Sequence, residues 1–425
     1  MNLYTKEQLI DELRKVFNKL GRAYSRTEFS EHSCIARSTI ESRFGSWSKA
    51  MEEAGFVSKF NPTKEVEKKW KQDREKLLYD AEKKKVKEVS NVENKFQLLG
   101  DMIKDSVSQL PQPIIKVQPL KIIKKNINEK RNCVLWAEFS DLQLGTYMSK
   151  EEMGGLNEHN WNIWLKKLKI WKENVIEKIS YYSESYIIDK IVIAGLGDFV
   201  EGIQIFKGQK WNVDSNVVDQ AINGASDTAE AFAEIFLTFP ELEFHLLEVF
   251  GNHGRVGEKG ENPYGCSFDK VYMRFLEARL QTIPEIKNLT YHKNESWWYL
   301  VEIYGWNHLI LHGDQGMSGL WSSKPTMNSL EKGIVRYNQM LQQQIHFLHV
   351  GHFHQDLQIS FNMSQILING SFVGTSNFSA SQMVASSPPV QIMHVFTPRV
   401  GLERTERIHL VEGDVKNPMP PTKII

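Results

Sequence analysis

The spacing of hydrophobic and polar positions changes along the chain, and the changes predict three segments. In residues 1–60 apolar side chains recur every three or four positions, which is typical of short amphipathic helices. Residues 61–130 are rich in Lys and Glu and then contain several prolines, which predicts a charged, solvated helix followed by an extended linker. In residues 131–425 short apolar runs alternate with longer amphipathic stretches, and this pattern predicts an α/β domain.

The first segment contains signals for several helices. The first predicted helix covers residues 6–20 and ends at Gly21, and the second begins at the capping-box pair Ser25 and Glu28. The third covers residues 38–44, and the fourth begins at Trp47 and ends at Gly55. Three or four short helices within about 55 residues form a unit of helix-turn-helix size, in which a basic third helix is the natural reader of a nucleic-acid groove.

Five apolar runs of the third segment end in Asp, Asn or His, usually beside glycine. The runs are residues 133–139, 190–194, 244–250, 307–311 and 345–350, and each leads into a short segment that carries Asp, Asn or His. The sheets of α/β domains place their ligand sites at the carboxyl ends of strands, where glycines allow tight turns. Five such endings favour a shared metal site over a purely structural role.

Oxygen and imidazole ligands without thiolate suit manganese, iron, zinc or, less well, magnesium. Two divalent cations about 3.5 to 4 Å apart can hold both oxygens of an in-line phosphoryl displacement and generate hydroxide near neutral pH. The reaction also needs donors for the developing charge and a proton for the leaving oxygen.

At this point the series of motifs resembles the calcineurin-like metallophosphoesterase family over about residues 131–400. The resemblance implies a layered β-sandwich flanked by helices and a pair of metal ions, manganese first, with iron, zinc or magnesium as alternatives. It implies that one ion is held by Asp141, Gln143, Asp198 and His354, and the other by Asp198, Asn252, His312 and His352. Asp198 would bridge the ions. His253 would not be a ligand but would donate to the scissile phosphate or protonate the leaving group.

Two residues depart from the family pattern. Gln143 stands where the family has histidine, and an amide oxygen is a poorer ligand for a borderline metal, so the first site is expected to bind its ion more weakly. Arg255 follows the Gly-Asn-His motif where an acidic residue is more usual. Its guanidinium would hold a nucleic-acid phosphate during catalysis or form a surface ion pair.

Residues 5–57 resemble the homing-endonuclease-associated repeat, a small helical DNA-binding module. The similarity rests mainly on the turn Phe44-Gly45-Ser46-Trp47, and Tyr24 replaces the usual proline before the second helix. The resemblance implies phosphate or base-edge contacts by Arg22, Arg26, Arg37, Arg43 and Lys49. The alternative is a helical oligomerisation or docking domain, in which Phe44 and Trp47 belong to the core.

The composition indicates a cellular compartment and shows that charge is distributed unevenly along the chain. With 41% apolar and 24% charged residues, the chain is typical of a globular protein. Three widely spaced cysteines argue against a disulfide framework, and no apolar run of membrane-spanning length occurs, so we expect a cytoplasmic protein without a membrane partner. Residues 1–130 carry 27 basic and 19 acidic side chains and the remainder 25 and 33, which is compatible with a polyanion-binding front section or with a solvated linker.

The remaining candidates receive structural interpretations. Glu201 is expected to support the metal ligands or cap a loop rather than bind metal. Four histidines within apolar strands are expected to be structural: His245, His308, His346 and His349. Trp161, Trp164 and Trp171 recur along a predicted helix and are expected in the core.

These inferences combine into one functional prediction with two alternatives. We expect a metallophosphoesterase whose DNA-binding module presents a phosphodiester substrate, hence a DNA nuclease. One alternative is a phosphatase acting on a nucleotide, a small molecule or a phosphoprotein. The other is a DNA-binding scaffold with a degenerate metal site, for which Gln143 is the supporting feature.

Overall fold

The computed structural model describes most of the chain in two compact units, Met1–Val86 and Lys87–Ile425. The described residues are 4–21, 24–56, 76, 94–107, 110, 112–113, 115–120, 130–203, 205–206, 208–315, 327–376 and 387–411, with backbone alone at 327–330. The domain boundaries near residues 60 and 130 stay a prediction, because both neighbourhoods fall largely outside these ranges.

The first unit contains the predicted short helices. They are α1 (Lys6–Leu20), α2 (Arg26–His32), α3 (Arg37–Phe44) and α4 (Trp47–Glu53). Ser25 and Glu28 form the predicted capping box at the start of α2, and Thr5 and Gln8 form another before α1. Gly21 ends α1 at φ +67°, in the left-handed region that favours glycine.

A small aromatic core holds these helices together. Phe29 and Phe44 are buried, and the Trp47 ring meets Phe29 edge-on at 5.3 Å and Tyr24 at 6.2 Å between centroids. Phe44 and Trp47 therefore stabilise the module from inside, and Tyr24 fills a buried position with its hydroxyl donating to the Leu13 carbonyl oxygen.

The second unit contains two sheets. Its strands are β1 (Arg131–Phe139), β2 (Tyr186–Gly195), β3 (Phe244–Glu248), β4 (Leu289–His292), β5 (Trp298–Ile303), β6 (Trp306–Leu311), β7 (Phe347–Val350), β8 (Leu357–Phe361), β9 (Ser364–Ile368), β10 (Val390–Thr397) and β11 (Gly401–His409). The first sheet has the order β11-β10-β1-β2-β3-β4, with β1 to β4 parallel, and the second has the order β5-β6-β7-β9-β8, with β6, β7 and β9 parallel. The accompanying helices are α5 (residues 94–107), α6 (Trp161–Ser185), α7 (Val217–Thr238), α8 (Phe268–Gln281) and α9 (Met327–Leu341).

The two sheets pack face to face, and helices cover their outer faces. Trp136 of β1 points inward and packs in one buried cluster with Ile310 and Phe347 of the second sheet. Its neighbour Leu135 points outward into the cluster that includes α6, α7 and α8, because side chains alternate along a strand. Helix α9 covers the other sheet through Tyr337. The predicted α/β fold of layered sheets flanked by helices is confirmed.

Helix α5 corrects one expectation. The sequence predicts a charged, solvated helix in the part of residues 61–130 that precedes the prolines, but Ile103 and Val107 are buried in the core of the second unit. Phe96 also meets Phe268 of α8 at 5.8 Å. These apolar side chains lie among charged neighbours, so their spacing is hard to distinguish from that of an exposed helix. Most of residues 61–93 lies outside the described residues.

Within the described ranges, every helix is too short or too polar to cross a membrane. The expected cytoplasmic location stays a prediction.

Candidate metal centre

The polar residues that follow five strands converge at one edge of the layered sheets. Asp141 follows β1, Asp198 follows β2, Asn252 follows β3, His312 follows β6 and His352 follows β7. Strands β1 to β3 are parallel within the first sheet and β6 and β7 within the second, so each sheet delivers its loops to a common edge.

The backbone at this edge is strained. Five of the predicted ligands have left-handed backbones, with φ values from +42° to +68°: Asp141, Gln143, Asp198, His352 and His354. Such conformations are uncommon for residues with a side chain and typically occur where the surroundings impose them. Here they occur in the three loops that follow β1, β2 and β7.

The tightest group contains Asp198, His312, His352 and Asn252. His312 Nδ1 donates to the Leu196 carbonyl oxygen at 2.7 Å, which directs Nε2 towards Asp198 Oδ2 at 3.0 Å and Asn252 Oδ1 at 3.2 Å. Ligand atoms of Asp198, His312 and His352 all lie within 4.8 Å of one another. Asp198 Oδ2 is buried and faces the His312 and His253 rings, so this donor set fits a cation.

Charge at Asp198 agrees with that fit. Burial raises the pKa of its carboxyl group, but the nearby imidazoles of His312 and His253 outweigh burial and lower the pKa below its usual range. The carboxylate is therefore ionised and available to a metal.

The second group lies around Asp141. Asp141 Oδ1 is 3.4 Å from His354 Nε2, and its carboxylate accepts the Ser140 hydroxyl at 2.5 Å and the His352 backbone N–H at 3.0 Å. Gln143 Nε2 lies 3.2 Å from His354 Nε2. The structure thus brings Gln143 to the position that the motif predicts, and a ligand role requires its amide oxygen to face the ion.

His253 lies beside these residues with one nitrogen held and the other directed towards the cluster. Its Nδ1 is 3.1 Å from Glu201 Oε2 and 3.0 Å from the Glu201 carbonyl oxygen. Its Nε2 is 3.3 Å from Gln143 Nε2 and 3.9 Å from Asp198 Oδ2. Burial lowers its pKa, but the Glu201 and Asp198 carboxylates outweigh burial and raise the pKa to about 10. This favours the protonated ring, which can donate to an oxygen of a substrate.

Asp269 escaped the sequence analysis although it holds two of these loops. Its buried carboxylate accepts the backbone N–H groups of Asp198, Phe199, Val200 and Gly251 at 2.7 to 3.2 Å. Asp269 lies in the first turn of α8, and no motif surrounds it that would distinguish it from an ordinary helix-starting aspartate.

Two glycines permit close approach of the same loops. A Cβ atom on Gly197 would lie 2.4 Å from the Gly251 backbone nitrogen, and one on Gly251 would lie 2.0 Å from Asp198 Oδ1. Side chains at these positions would separate the loops that carry Asp198 and Asn252.

Arg255 contacts the candidate centre through its backbone. Its backbone N–H donates to the Asn252 carbonyl oxygen at 3.4 Å, and its Nε is buried without a hydrogen-bond partner in the described part of the chain. The catalytic role of Arg255 stays a prediction.

The predicted DNA contacts of the first unit differ in their surroundings. Arg22 lies outside the described residues. Arg26 is exposed and pairs with Glu41 at 3.2 Å, which reduces its freedom to bind phosphate. Arg37, Arg43 and Lys49 are exposed, as a nucleic-acid contact requires.

Exposed aromatic residues beside His253 were also missed. Phe206 is 49% exposed, and its ring meets that of His253 at 6.4 Å; Trp211, further along the same loop, is 78% exposed. Lys210 lies over the Trp211 ring at 5.1 Å. A sequence pattern cannot show whether a loop aromatic is buried, so only the structure reveals this surface.

A comparison with protein families identifies the first segment. Residues 4–57 match the model of the family described as homing endonuclease associated repeat, which confirms the resemblance of the first segment. A search of curated protein sequences gives no match.

Solved structures similar to this chain include phosphoesterases. Wild-type Vps29 of Entamoeba histolytica, complexed with Zn²⁺, is 12% identical, with 65% of this chain and 99% of that chain covered at a TM-score of 0.25. An archaeal phosphodiesterase is 10% identical, with 64% and 99% covered and a TM-score of 0.28. A hypothetical protein of Pyrococcus horikoshii is 12% identical, with 66% and 89% covered and a TM-score of 0.32. The sequence identities of 10–12% and TM-scores of 0.25–0.32 carry no conclusion about the function of this chain.

Proposed function

We propose that the protein is a metal-dependent phosphodiesterase that hydrolyses DNA. The observation that carries the proposal is the convergence of carboxylates, imidazoles and one amide from five strand ends, with His253 beside them. A buried carboxylate surrounded by imidazoles is a donor set for a divalent transition metal rather than for an organic cofactor.

The ligands would divide as the motifs predict. Asp141, Gln143 and His354 would hold one ion, Asn252, His312 and His352 the other, and Asp198 would contact both. Two bound cations, with manganese favoured, would supply hydroxide at neutral pH and neutralise charge on the phosphate.

The protein's own groups have separate tasks in this scheme. His253 would donate its Nε2 proton to a phosphate oxygen or to the leaving oxygen, since Glu201 keeps Nδ1 occupied and favours the protonated ring. Asp269 would keep the Asp198 and Gly251 loops in place through their backbone N–H groups. Arg255 would bind a flanking phosphate of the substrate.

Two features support DNA as the substrate. The homing endonuclease associated repeat presents Arg37, Arg43 and Lys49 on its surface, and a binding module in the same chain raises the effective concentration of DNA at the centre. Phe206 beside His253, and Trp211 further along the same segment, offer exposed rings on which unpaired bases can stack.

A substrate comparison tests the proposal. Metal-free protein is supplied with Mn²⁺ and offered single-stranded DNA, duplex DNA and a nitrophenyl phosphomonoester. Asp198→Ala and His253→Ala are assayed beside His409→Ala, a control that removes an exposed histidine at the end of β11. We expect DNA cleavage in the wild type and in the control, with at least a hundredfold loss in the other two variants.

The outcomes separate the three functional classes. Turnover of the monoester alone would favour a phosphatase on a small molecule, a nucleotide or a phosphoprotein. DNA binding without turnover of any substrate would favour a scaffold whose metal site has degenerated at Gln143.

A further inference from the structure

A second cluster of metal-binding side chains lies in the interior of the sandwich. Glu138 is on β1, His394 on the neighbouring β10, and His349 on β7 of the opposite sheet, and all three are almost completely buried. One ligand atom from each lies within 4.8 Å of the others. None of the three belongs to the candidate centre described above.

Burial raises the pKa of the Glu138 carboxyl group well above its usual range, and the hydrogen bond from Trp136 does not offset this effect. Its Oε1 accepts the Trp136 indole N–H at 3.0 Å and lies 2.6 Å from His349 Nδ1 and 3.7 Å from His394 Nε2. Its buried Oε2 has no hydrogen-bond partner among the described residues. A buried oxygen of this kind is strongly unfavourable unless a proton or a cation accompanies it.

The imidazoles around Glu138 are poor proton acceptors. Burial lowers the pKa of His349 to about 3, and burial followed by the neighbouring His349 lowers that of His394 well below its usual range. The neutral imidazole is the form that ligates a metal.

Both histidines have their second nitrogen held by a neighbour. His349 Nε2 lies 3.0 Å from His308 Nδ1, and His394 Nδ1 lies 3.1 Å from Thr405 Oγ1. Metal-ligating histidines usually have their other ring nitrogen bonded in this way, because the bond fixes the ring and its tautomer. Each ring thus directs its remaining nitrogen towards Glu138.

A cavity of about 260 Å³ lies beside one member of the cluster. Its lining includes His394, Thr405 and Gln358 together with the ion pair of Asp356 with Arg407, so His394 is the member of the cluster that faces it.

We propose that Glu138, His349 and His394 bind one divalent transition-metal ion between the two sheets, independently of the phosphodiesterase centre. Two imidazoles and one carboxylate without thiolate suit zinc or ferrous iron. The ion joins β1 and β10 of the first sheet to β7 of the second. Since β1 leads to Asp141 and β7 leads to His352, its role is to fix the relative position of the strands that supply the candidate centre.

The test measures bound metal in full-length protein grown with added zinc and dialysed against a weak chelator. In an Asp198→Asn/His312→Gln background, which weakens the phosphodiesterase centre, we expect one zinc ion per chain by elemental analysis. Adding Glu138→Gln and His394→Gln removes that ion, whereas adding His346→Gln, a half-buried histidine directly before β7, leaves it in place.

Anomalous diffraction at the zinc edge from crystals of the wild-type protein is a second test, which does not depend on the folding of any variant. A peak between Glu138 and His394 supports the proposal whatever the DNA-cleavage assays give. Zinc-free protein in the first background, or wild-type crystals with no peak there, would overturn it and leave a protonated Glu138 in a neutral hydrogen-bond network.

Discussion

Asp269 Oδ2 accepts the backbone N–H of Asp198 at 2.9 Å and that of Gly251 at 2.7 Å, so one carboxylate joins the loops that follow β2 and β3. Oδ1 accepts two further N–H groups, from Phe199 and Val200. Four backbone donors bonded to one buried side chain make Asp269 the main link between the loops that carry Asp198 and Asn252.

Substitution Asp269→Asn tests that link. The amide NH₂ would face backbone donors, so at least one buried N–H loses its acceptor, and we expect the free energy of unfolding to fall by about 1–3 kcal/mol. Manganese affinity should fall roughly 10- to 100-fold, as for other residues that position metal ligands. Urea unfolding and calorimetric titration measure the two effects. Glu230→Gln, an exposed substitution on α7, serves as the control, and equal behaviour of the two variants would contradict the assignment.

The pairing of Glu201 with His253 predicts a change in pH dependence. The Glu201 carboxylate favours the protonated ring and raises the pKa of His253, so Glu201→Gln should lower that pKa. The acid form is then lost at lower pH, and the alkaline limb of kcat/KM should move down by about one pH unit or more. A pH–rate profile with Mn²⁺ checks the shift against Glu241→Gln, an exposed control. An unchanged alkaline limb would exclude His253 as the acid.

Replacing Gln143 by histidine is expected to increase the affinity for manganese. Gln143→His replaces an amide by imidazole next to His354, and we expect the weaker manganese site to gain about tenfold in affinity. Titration of metal-free protein measures the gain, with Gln281→His, exposed at the end of α8, as the matched control. If both variants bind manganese like the wild type, Gln143 is not a ligand.

The exposed ring of Trp211 predicts a preference for unpaired bases. Base stacking on an aromatic side chain contributes about 1–3 kcal/mol, so Trp211→Ala should raise the KM for single-stranded DNA by about tenfold or more. Trp211→Phe should retain most of the affinity. Turnover of a nitrophenyl phosphodiester, which has no nucleobase, should change in neither variant. An equal loss on that substrate would show that Trp211 supports the fold of the loop instead.

The basic side chains of the repeat predict salt-dependent binding. Replacing Arg37, Arg43 and Lys49 together by alanine should weaken DNA binding. The slope of log affinity against log salt should fall in magnitude by about 0.7–0.9 for each phosphate that these side chains neutralise in the wild type. Fluorescence anisotropy at several salt concentrations measures the slope. Lys15→Ala, on the exposed side of α1, should leave it unchanged. A triple variant with the wild-type slope would assign the repeat to docking or oligomerisation.

The parts of the fold that sequence analysis predicted share one property. β1, β2, β3, β6 and β7 are buried on both faces, so each reads as a continuous apolar run that ends in a polar turn. By contrast, β8 and β11 are half-exposed and carry charged or polar residues, so their sequences do not stand out. The same limit explains Asp269, whose bonds run to backbone atoms 18 to 71 positions away in the sequence. It also explains Glu138, whose imidazole neighbours His349 and His394 come from β7 and β10, far away in the sequence.

The left-handed backbones of five predicted ligands restrict how this centre can be transferred. A designer who copied only the side-chain types of Asp141, Gln143, Asp198, His352 and His354 onto another scaffold would aim them in other directions, because ordinary loops rarely hold such φ values. The transplantable unit is therefore the set of whole loops together with the aspartate and glycines that hold them.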